Sequence, residues 1–519
     1  MGRKAEGIGC MLKICKSLFT SWNHADIKYC HWKSNEHLLE GLMGLTDLDV
    51  FVSPEDRERA QAELVQCGYL NFKPQKGSQY PLVEEWLGFD YDTGRLVHIH
   101  LHYQIITGTK HSKEYVFPLE ELIISTRVLD TTYDVYIASP EVEIIILYSR
   151  IVLKAKDKKA IKINGDYQKE IDYLKPRLNW QILENHCNRF FESSAEDILN
   201  AIRADALSEA ELFKLYQNVK KWLKPYKKFS TLKANWRYRY FRLRSIKNAV
   251  FAKRLHRHYI MRKTLPERGL SICFLGADGS GKSTVSIDIC KWLNWKVEAN
   301  RFYLGSGDHY NGLLKKILSF GLSKASMNQA PAPKKEAGDG ESDVKQKETA
   351  KKAKKNPIKA ILKIGFGTLQ SLYFRNIAVR SLKELKKAKK YINKGAIALF
   401  DRFPQNQFQG LYDGLKIASR YPNTKNVFIK CNRRSEEKAI TKAQNYQPDV
   451  IFKLLLPPEE SIRRKPDHTM EEVRPKAEIT QKLVFERSVV YEIDATQPYD
   501  DEILEIKRLI WKAISNHDN

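Results

Sequence analysis

The 519-residue sequence has no C-x-x-C pair and no metal-ligand rhythm among its eight cysteines, which stand scattered at 10, 15, 30, 67, 187, 273, 290 and 431. They are expected to be reduced thiols of a cytosolic protein, neither a disulfide frame nor a structural zinc site. Also missing is any apolar run near the roughly 20 residues that a spanning helix needs, which excludes a helical integral membrane protein. Lysines interrupt the mildly apolar start from Cys10 to Phe19, and no small-residue cleavage site follows, so a secretory signal is not expected. Glu6 occupies the place where a myristoylation signal wants Ser or Thr. The expected location is cytoplasmic, with peripheral attachment to a membrane left open.

Acids are scarce relative to bases: 62 Asp and Glu against 88 Lys and Arg, a net charge of +26. The imbalance is local. Between Lys214 and Arg268 stand 18 Lys/Arg and one acid, Glu267, so this stretch carries +17 of the total. With 42% hydrophobic and 11% aromatic residues the chain is neither disordered nor fibrous. Its length implies two to four domains.

The first part, 1–150, mixes helix and strand signals. Met11–Trp22 has helical apolar spacing, Ile27–Trp32 and Leu48–Val52 read as strands, and Ser53-Pro54 opens a helix through Cys67. Leu96–Tyr103 alternates apolar residues with His98, His100 and His102, the period-two pattern of a strand. From Glu141 the signal turns helical, giving a basic helical connector over 151–265. A third part, 266–519, carries apolar runs at Leu270–Leu275, Phe302–Leu304, Ala396–Phe400, Val450–Leu456 and Val489–Ile493, separated by helical patterns. That alternation predicts a parallel sheet with helices on both faces. Within it, 325–355 is rich in Ala, Lys, Glu and Pro and is expected to be a disordered insertion.

The segment GADGSGKST, Gly276 to Thr284, fits G-x-x-x-x-G-K-[ST] between an apolar strand and a helix. Gly276, Gly279 and Gly281 let the backbone curl so that amides at Ser280 to Thr284 face an anion, and the next helix adds its positive end. Lys282 supplies a mobile charge for the donor phosphates, and the Ser283 hydroxyl suits Mg²⁺. After the run Ala396–Phe400 comes Asp401-Arg402-Phe403. The carboxylate suits the same Mg²⁺, and the guanidinium can clamp an acceptor phosphate. Leu454–His468 reads as a buried strand followed by Pro457-Pro458-Glu459 and the cations Arg463, Arg464 and Lys465, a lid that spreads charge from a transferring group.

These three segments resemble the thymidylate kinase family of nucleoside monophosphate kinases over about Leu270 to Ile514. The resemblance implies a parallel five-stranded sheet, ATP and Mg²⁺ as the donor system, and a phosphate-bearing acceptor. It places Asp278 where the family's loop acid meets the acceptor sugar, Arg402 on the acceptor phosphate, and Asp494-Ala495-Thr496 near the adenine. Phe403 stands where the family usually has Tyr. Gln405, Gln407 and Gln409 do not fall at the family's spacing for base recognition.

In the first part, Gly44 to Val52 resembles the metal-binding strand of the nucleotidyltransferase superfamily, with Asp47 and Asp49 on one face for Mg²⁺. Lys33-Ser34 stands near the place of that superfamily's Gly-Ser pair, and the later strand offers histidines where a third carboxylate is usual. The α+β head is therefore expected to be nucleotidyltransferase-like. At Trp236–Ile260 aromatic residues interleave with arginines, and Ile358, Ile361, Leu362, Leu369, Leu372 and Tyr373 form a second stripe flanked by lysines. Both suit an anionic membrane or a nucleic acid, membrane being preferred, or packing on their own domains. The function expected is γ-phosphoryl transfer from ATP to a nucleoside monophosphate or similar phosphorylated small molecule. The alternatives are a head-driven nucleotidyltransferase and an ATP-regulated binding protein. Expected partners are nucleotide substrates, membrane or nucleic acid at the connector, and a second copy of the chain.

Overall fold

The computed structural model describes residues 10–155, 167–204, 207–255, 259–305, 357–410 and 413–516. The expected insertion at 325–355 lies outside the described residues, as do the side chains of Ile358, Ile361 and Leu362.

The head is built on a seven-stranded mixed sheet. Its strands are β1 (Tyr29–His31), β2 (Asp47–Val52), β3 (Leu70–Phe72), β4 (Val83–Asp90) and β5 (Arg95–His102), then, after a small hairpin of β6 (Ile106–Thr107) and β7 (Tyr115–Val116), β8 (Val128–Asp130) and β9 (Val135–Ile137). The order is β3-β4-β5-β2-β1-β9-β8, with β2 parallel to β5 and antiparallel to β1. The helix Lys13–His24 puts Cys15, Leu18, Phe19 and Trp22 against Val50, Val97 and Ile99. Helices Pro140–Ala155, Trp180–Phe191, Ala195–Arg203 and Glu209–Val219 join Trp32, Phe51 and Phe117 in one apolar cluster, so much of the expected connector shares the head's core. The helix Thr231–Leu255 follows, with Ala234 buried while Leu232, Trp236 and Leu243 are exposed.

The C-terminal part holds β10 (Ser271–Gly276), β11 (Ala299–Phe302), β12 (Ile397–Phe400), β13 (Val450–Leu455) and β14 (Val489–Asp494) in one all-parallel sheet, order β11-β12-β10-β13-β14. β10 and β12 are buried at every position, which is why they read as unbroken apolar runs, whereas the edge strand β14 is largely exposed. Ile272 and Phe274 face the helices Lys282–Leu293 and Tyr499–Ser515. Cys273 and Leu275 face Pro357–Ile392, Val427–Ala443 and Met470–Lys482. Both faces are therefore covered. Because β10 lies between β12 and β13, the chain leaves it at the point where strand order reverses, and there a crevice opens beyond the strand ends.

The two parts meet through side chains. Phe72, Leu87, Phe89 and Leu96 of the head share a cluster with Leu293, Ile506, Ile510 and Trp511. Lys73 and Thr264 exchange backbone hydrogen bonds of 2.8 and 3.0 Å. Among the described residues no helix is long and apolar enough to cross a membrane.

Candidate functional site

The glycine loop connects β10 to the helix Lys282–Leu293. A Cβ on Gly276 would lie 2.3 Å from the Ser280 hydroxyl and 2.9 Å from the Leu454 carbonyl, so the loop closes only around a residue without a side chain. Gly279 (φ +90°) and Gly281 (φ +85°) adopt the left-handed conformation. Gly281 caps the helix without a side chain, leaving its first amides for a ligand. Ser280 is buried, and Ser283 and Thr284 are exposed at the helix start. Lys282 folds back so that Nζ donates to the Ala277 carbonyl at 2.7 Å. Burial pushes its ammonium down to about 8, against the attraction of Asp278, and Arg402 and Lys465 push the same way.

Asp401 follows β12 directly and is 6% exposed. Its Oδ2 lies 3.6 Å from the Arg301 guanidinium, while Oδ1 is buried with no hydrogen-bond partner. Burial raises its pKa, opposed by Arg301 and Arg402. An orphaned carboxylate oxygen lining the same cavity as the Ser283 hydroxyl is the donor chemistry a Mg²⁺ ion takes, and these residues fit one. Arg402 reaches Asp413 at 3.8 Å.

The expected lid is the helix Pro458–Arg464. Arg464 donates to Glu460 and to the Ala495 carbonyl, both at 3.0 Å, and with Lys465 lines the loop's cavity. Arg463 does not. Its side chain is 79% exposed and bound to Glu460, outside the cavity that Arg464 and Lys465 line. One residue turns a helix by about 100°, so neighbouring arginines cannot both face inward. Arg464→Ala is expected to weaken anion binding at the loop, whereas Arg463→Ala stays within about twofold; a titration with inorganic triphosphate separates them.

Asp278, Gly279, Gly281, Lys282, Ser283, Thr284, Asp401, Arg402, Arg464 and Lys465 together enclose a cavity of about 210 Å³. Beside it, on the β13–β14 side, lies a cleft of about 900 Å³ lined by Leu454 to Glu459, Asp494 and Thr496. Lys476 and Ser461 were not foreseen. The Lys476 ammonium pairs with the Asp278 carboxylate; burial opposes that ionisation, yet the ammonium holds the carboxyl below its usual range. The Ser461 hydroxyl donates to the Asp278 carbonyl, tying the helix Pro458–Arg464 to the loop. Gln405 is buried and donates to the Phe408 carbonyl, and Gln407 bonds Val484; neither lines the cavity.

In the head, the β2–β5 register sets Asp47 beside His98 and Asp49 beside His100, and the β4–β5 register sets Glu85 beside His100. Glu85 is a third carboxylate on the same face, and sequence reading missed it. Asp47 pairs with Lys296 and with His98 (2.8 Å); Asp49 pairs with Lys33 (3.0 Å); Glu85 contacts His98 (2.7 Å), His100 (3.0 Å) and Lys263 (3.5 Å). Burial works against the Asp47 and Asp49 carboxylates, but the histidine and lysine partners hold both well below the usual range. The aspartates expected to hold Mg²⁺, Asp47 and Asp49, thus stand among ammonium and imidazole groups. Two of the lysines, Lys263 and Lys296, come from beyond the head.

No protein-family model matches the chain. It is 28% identical over 236 residues to the ATP-binding protein YghR of Escherichia coli K12, covering 45% of this chain and 83% of that one. It is 24% identical over 246 residues to the ATP-binding protein YghS of the same strain, covering 47% and 93%. A solved deoxyadenosine kinase from M. mycoides with bound dATP aligns with 98% of its own chain and 46% of this one, at 15% identity and a TM-score of 0.24.

Proposed function

We propose that the C-terminal part is an ATP-dependent phosphotransferase of thymidylate kinase type, moving the γ-phosphoryl group to a nucleoside monophosphate or a similar phosphorylated small molecule. The observation that carries this reading is the convergence of Lys282, Arg402, Arg464 and Lys465 with the orphaned Asp401 around one cavity at the glycine loop. The ATP-binding names of the two Escherichia coli relatives support the choice of donor.

In this mechanism the amides from Gly279 to Thr284 and the Lys282 ammonium hold the donor phosphates. The nucleoside end of ATP occupies the larger cleft by Asp494 and Thr496. Ser283 and Asp401 are the residues that would hold Mg²⁺, which supplies charge neutralisation between the phosphates. Arg402 grips the acceptor phosphate, and Asp278 meets its sugar once released from Lys476. Arg464 and Lys465 then offset charge developing on the transferring group, so catalysis is positioning and electrostatics.

Labelled ATP with Mg²⁺, screened against nucleoside monophosphates and sugar phosphates, tests the proposal. Acceptor-dependent ADP and a phosphorylated product are expected; ATP turnover indifferent to every acceptor would overturn it. The depressed Lys282 gives a second test. Donor phosphates favour its charged form, so above about pH 8 ATP binding takes up a proton and affinity falls as pH rises. Calorimetry in buffers of differing ionisation enthalpy reads that uptake, which should vanish in Lys282→Met.

A further inference from the structure

The head carries a cluster for which phosphoryl transfer at the glycine loop has no use. Asp49 Oδ1 lies 3.4 Å from His100 Nδ1 and 3.4 Å from His102 Nε2. Neither contact has hydrogen-bond geometry: His102 Nε2 is buried without a hydrogen-bond partner, and Asp49 Oδ1 is met by the Lys33 ammonium alone, as an ion pair. His102 is only 7% exposed. Asp49 Oδ1 keeps only the Lys33 ammonium and His102 Nε2 keeps no partner, so the gap that they share with His100 Nδ1 has room in its chemistry for an occupant. Ligands about 2.0–2.1 Å from a tetrahedral ion stand about 3.3–3.4 Å apart, the spacing seen from Asp49 to each histidine, and all three ligand atoms lie within 4.8 Å of one another.

The surroundings match. His100 Nε2 is 3.0 Å from Glu85, which leaves Nδ1 facing the gap. A carboxylate on the far nitrogen of an imidazole is the arrangement that fixes a metal-ligating histidine. Sheet geometry sets the rest, because Glu85, His100 and Asp49 form one row across β4, β5 and β2, and His102 follows two residues along the same face. Two imidazoles and a carboxylate suit a divalent transition ion and suit Mg²⁺ poorly.

We propose that Asp49, His100 and His102 bind a zinc-class divalent ion, with Glu85 orienting His100 and a fourth position left open. Lys33 competes for the site. Its Nζ lies 3.0 Å from Asp49 Oδ1 and 4.7 Å from the centre of the Trp32 ring, and the indole face can keep the ammonium when the ion takes the carboxylate.

The full chain, stripped with a chelator and desalted, is titrated with Co²⁺ and followed by visible absorption, and zinc retention is measured by elemental analysis. One equivalent of either ion is expected, and millimolar Mg²⁺ should not displace it. His102→Ala and Asp49→Asn should each weaken binding by at least about 100-fold, and Glu85→Gln by about 10- to 100-fold. Lys33→Met should bind more tightly than the parent, a result that a purely structural role for these side chains does not produce. The proposal is overturned by a parent that retains no ion, by displacement with Mg²⁺, or by unchanged affinity in the ligand variants. If His102→Ala fails to fold by circular dichroism, Glu85→Gln and Lys33→Met decide, and weaker binding in Lys33→Met counts against the site.

Discussion

Lys282→Ala is expected to cut acceptor-dependent ADP formation by at least about 10²- to 10³-fold, the range seen when one preorganised charge is removed from a transition state. The glycine loop shapes the cradle through its backbone, so it survives the substitution; what goes is the mobile cation. Stability should not fall with activity. Burial holds the Lys282 ammonium at about 8, below its ordinary value, so the folded chain pays for that charge at neutral pH. The sign follows from proton binding. Below about pH 8 both folded and unfolded forms are protonated and the cost is fully present; between there and the ordinary lysine range the unfolded chain binds more protons, and stability rises with pH. Lys282→Ala should therefore melt at or slightly above the parent temperature near pH 7, with the gap closing as pH rises. Undiminished turnover in a folded Lys282→Ala would remove the loop from the chemistry.

That loop was legible in the sequence because its requirements are local. Gly276, Gly279, Gly281 and Lys282 serve positions within a few residues of one another, and β10 announced itself through burial on both faces. Asp401-Arg402 was legible for a related reason, since a buried strand delivers the next two residues to the mouth of the sheet. Lys476, Ser461 and Arg301 were not, because each meets Asp278 or Asp401 only once distant elements pack. Arg463 and Arg464 look alike in sequence, and helix phase alone decides which one turns inward. In the head, β4 stayed hidden because its Val-Glu-Glu-Trp start buries Glu85 on one face and Trp86 on the other, which erases the polar–apolar alternation that reveals a half-buried strand. The three histidines of β5 were visible, but the carboxylates opposite them depended on register.

Trp511→Ala should be the most damaging substitution remote from the glycine loop. Trp511 is 1% exposed; its ring stacks on Phe89 at 5.8 Å and lies 6.4 Å from Phe72, and Phe89 meets Trp292 edge-on at 5.8 Å. One indole thus joins two head strands to the C-terminal helix, and through Phe89 to the helix that begins at Lys282. Truncating a buried tryptophan costs about 3–5 kcal/mol, from lost burial and from a cavity that the surroundings fill only in part. Polar links remain, since Arg508 still donates to the Tyr91 carbonyl at 2.7 Å and Lys73 still pairs with Thr264. A hydrogen bond of that kind adds only about 0.5–1.5 kcal/mol net of water, so these links cannot replace an apolar wedge. Urea denaturation followed by circular dichroism should show the midpoint falling and, with the shared cluster opened, the head and the parallel-sheet part unfolding in separate steps. Val484→Ala, at a site 62% exposed, should stay within about 0.5 kcal/mol of the parent. If Trp511→Ala behaved the same way, the two parts would be neighbours without a common core, and the contacts of Lys263 and Lys296 with the head carboxylates would lose their support.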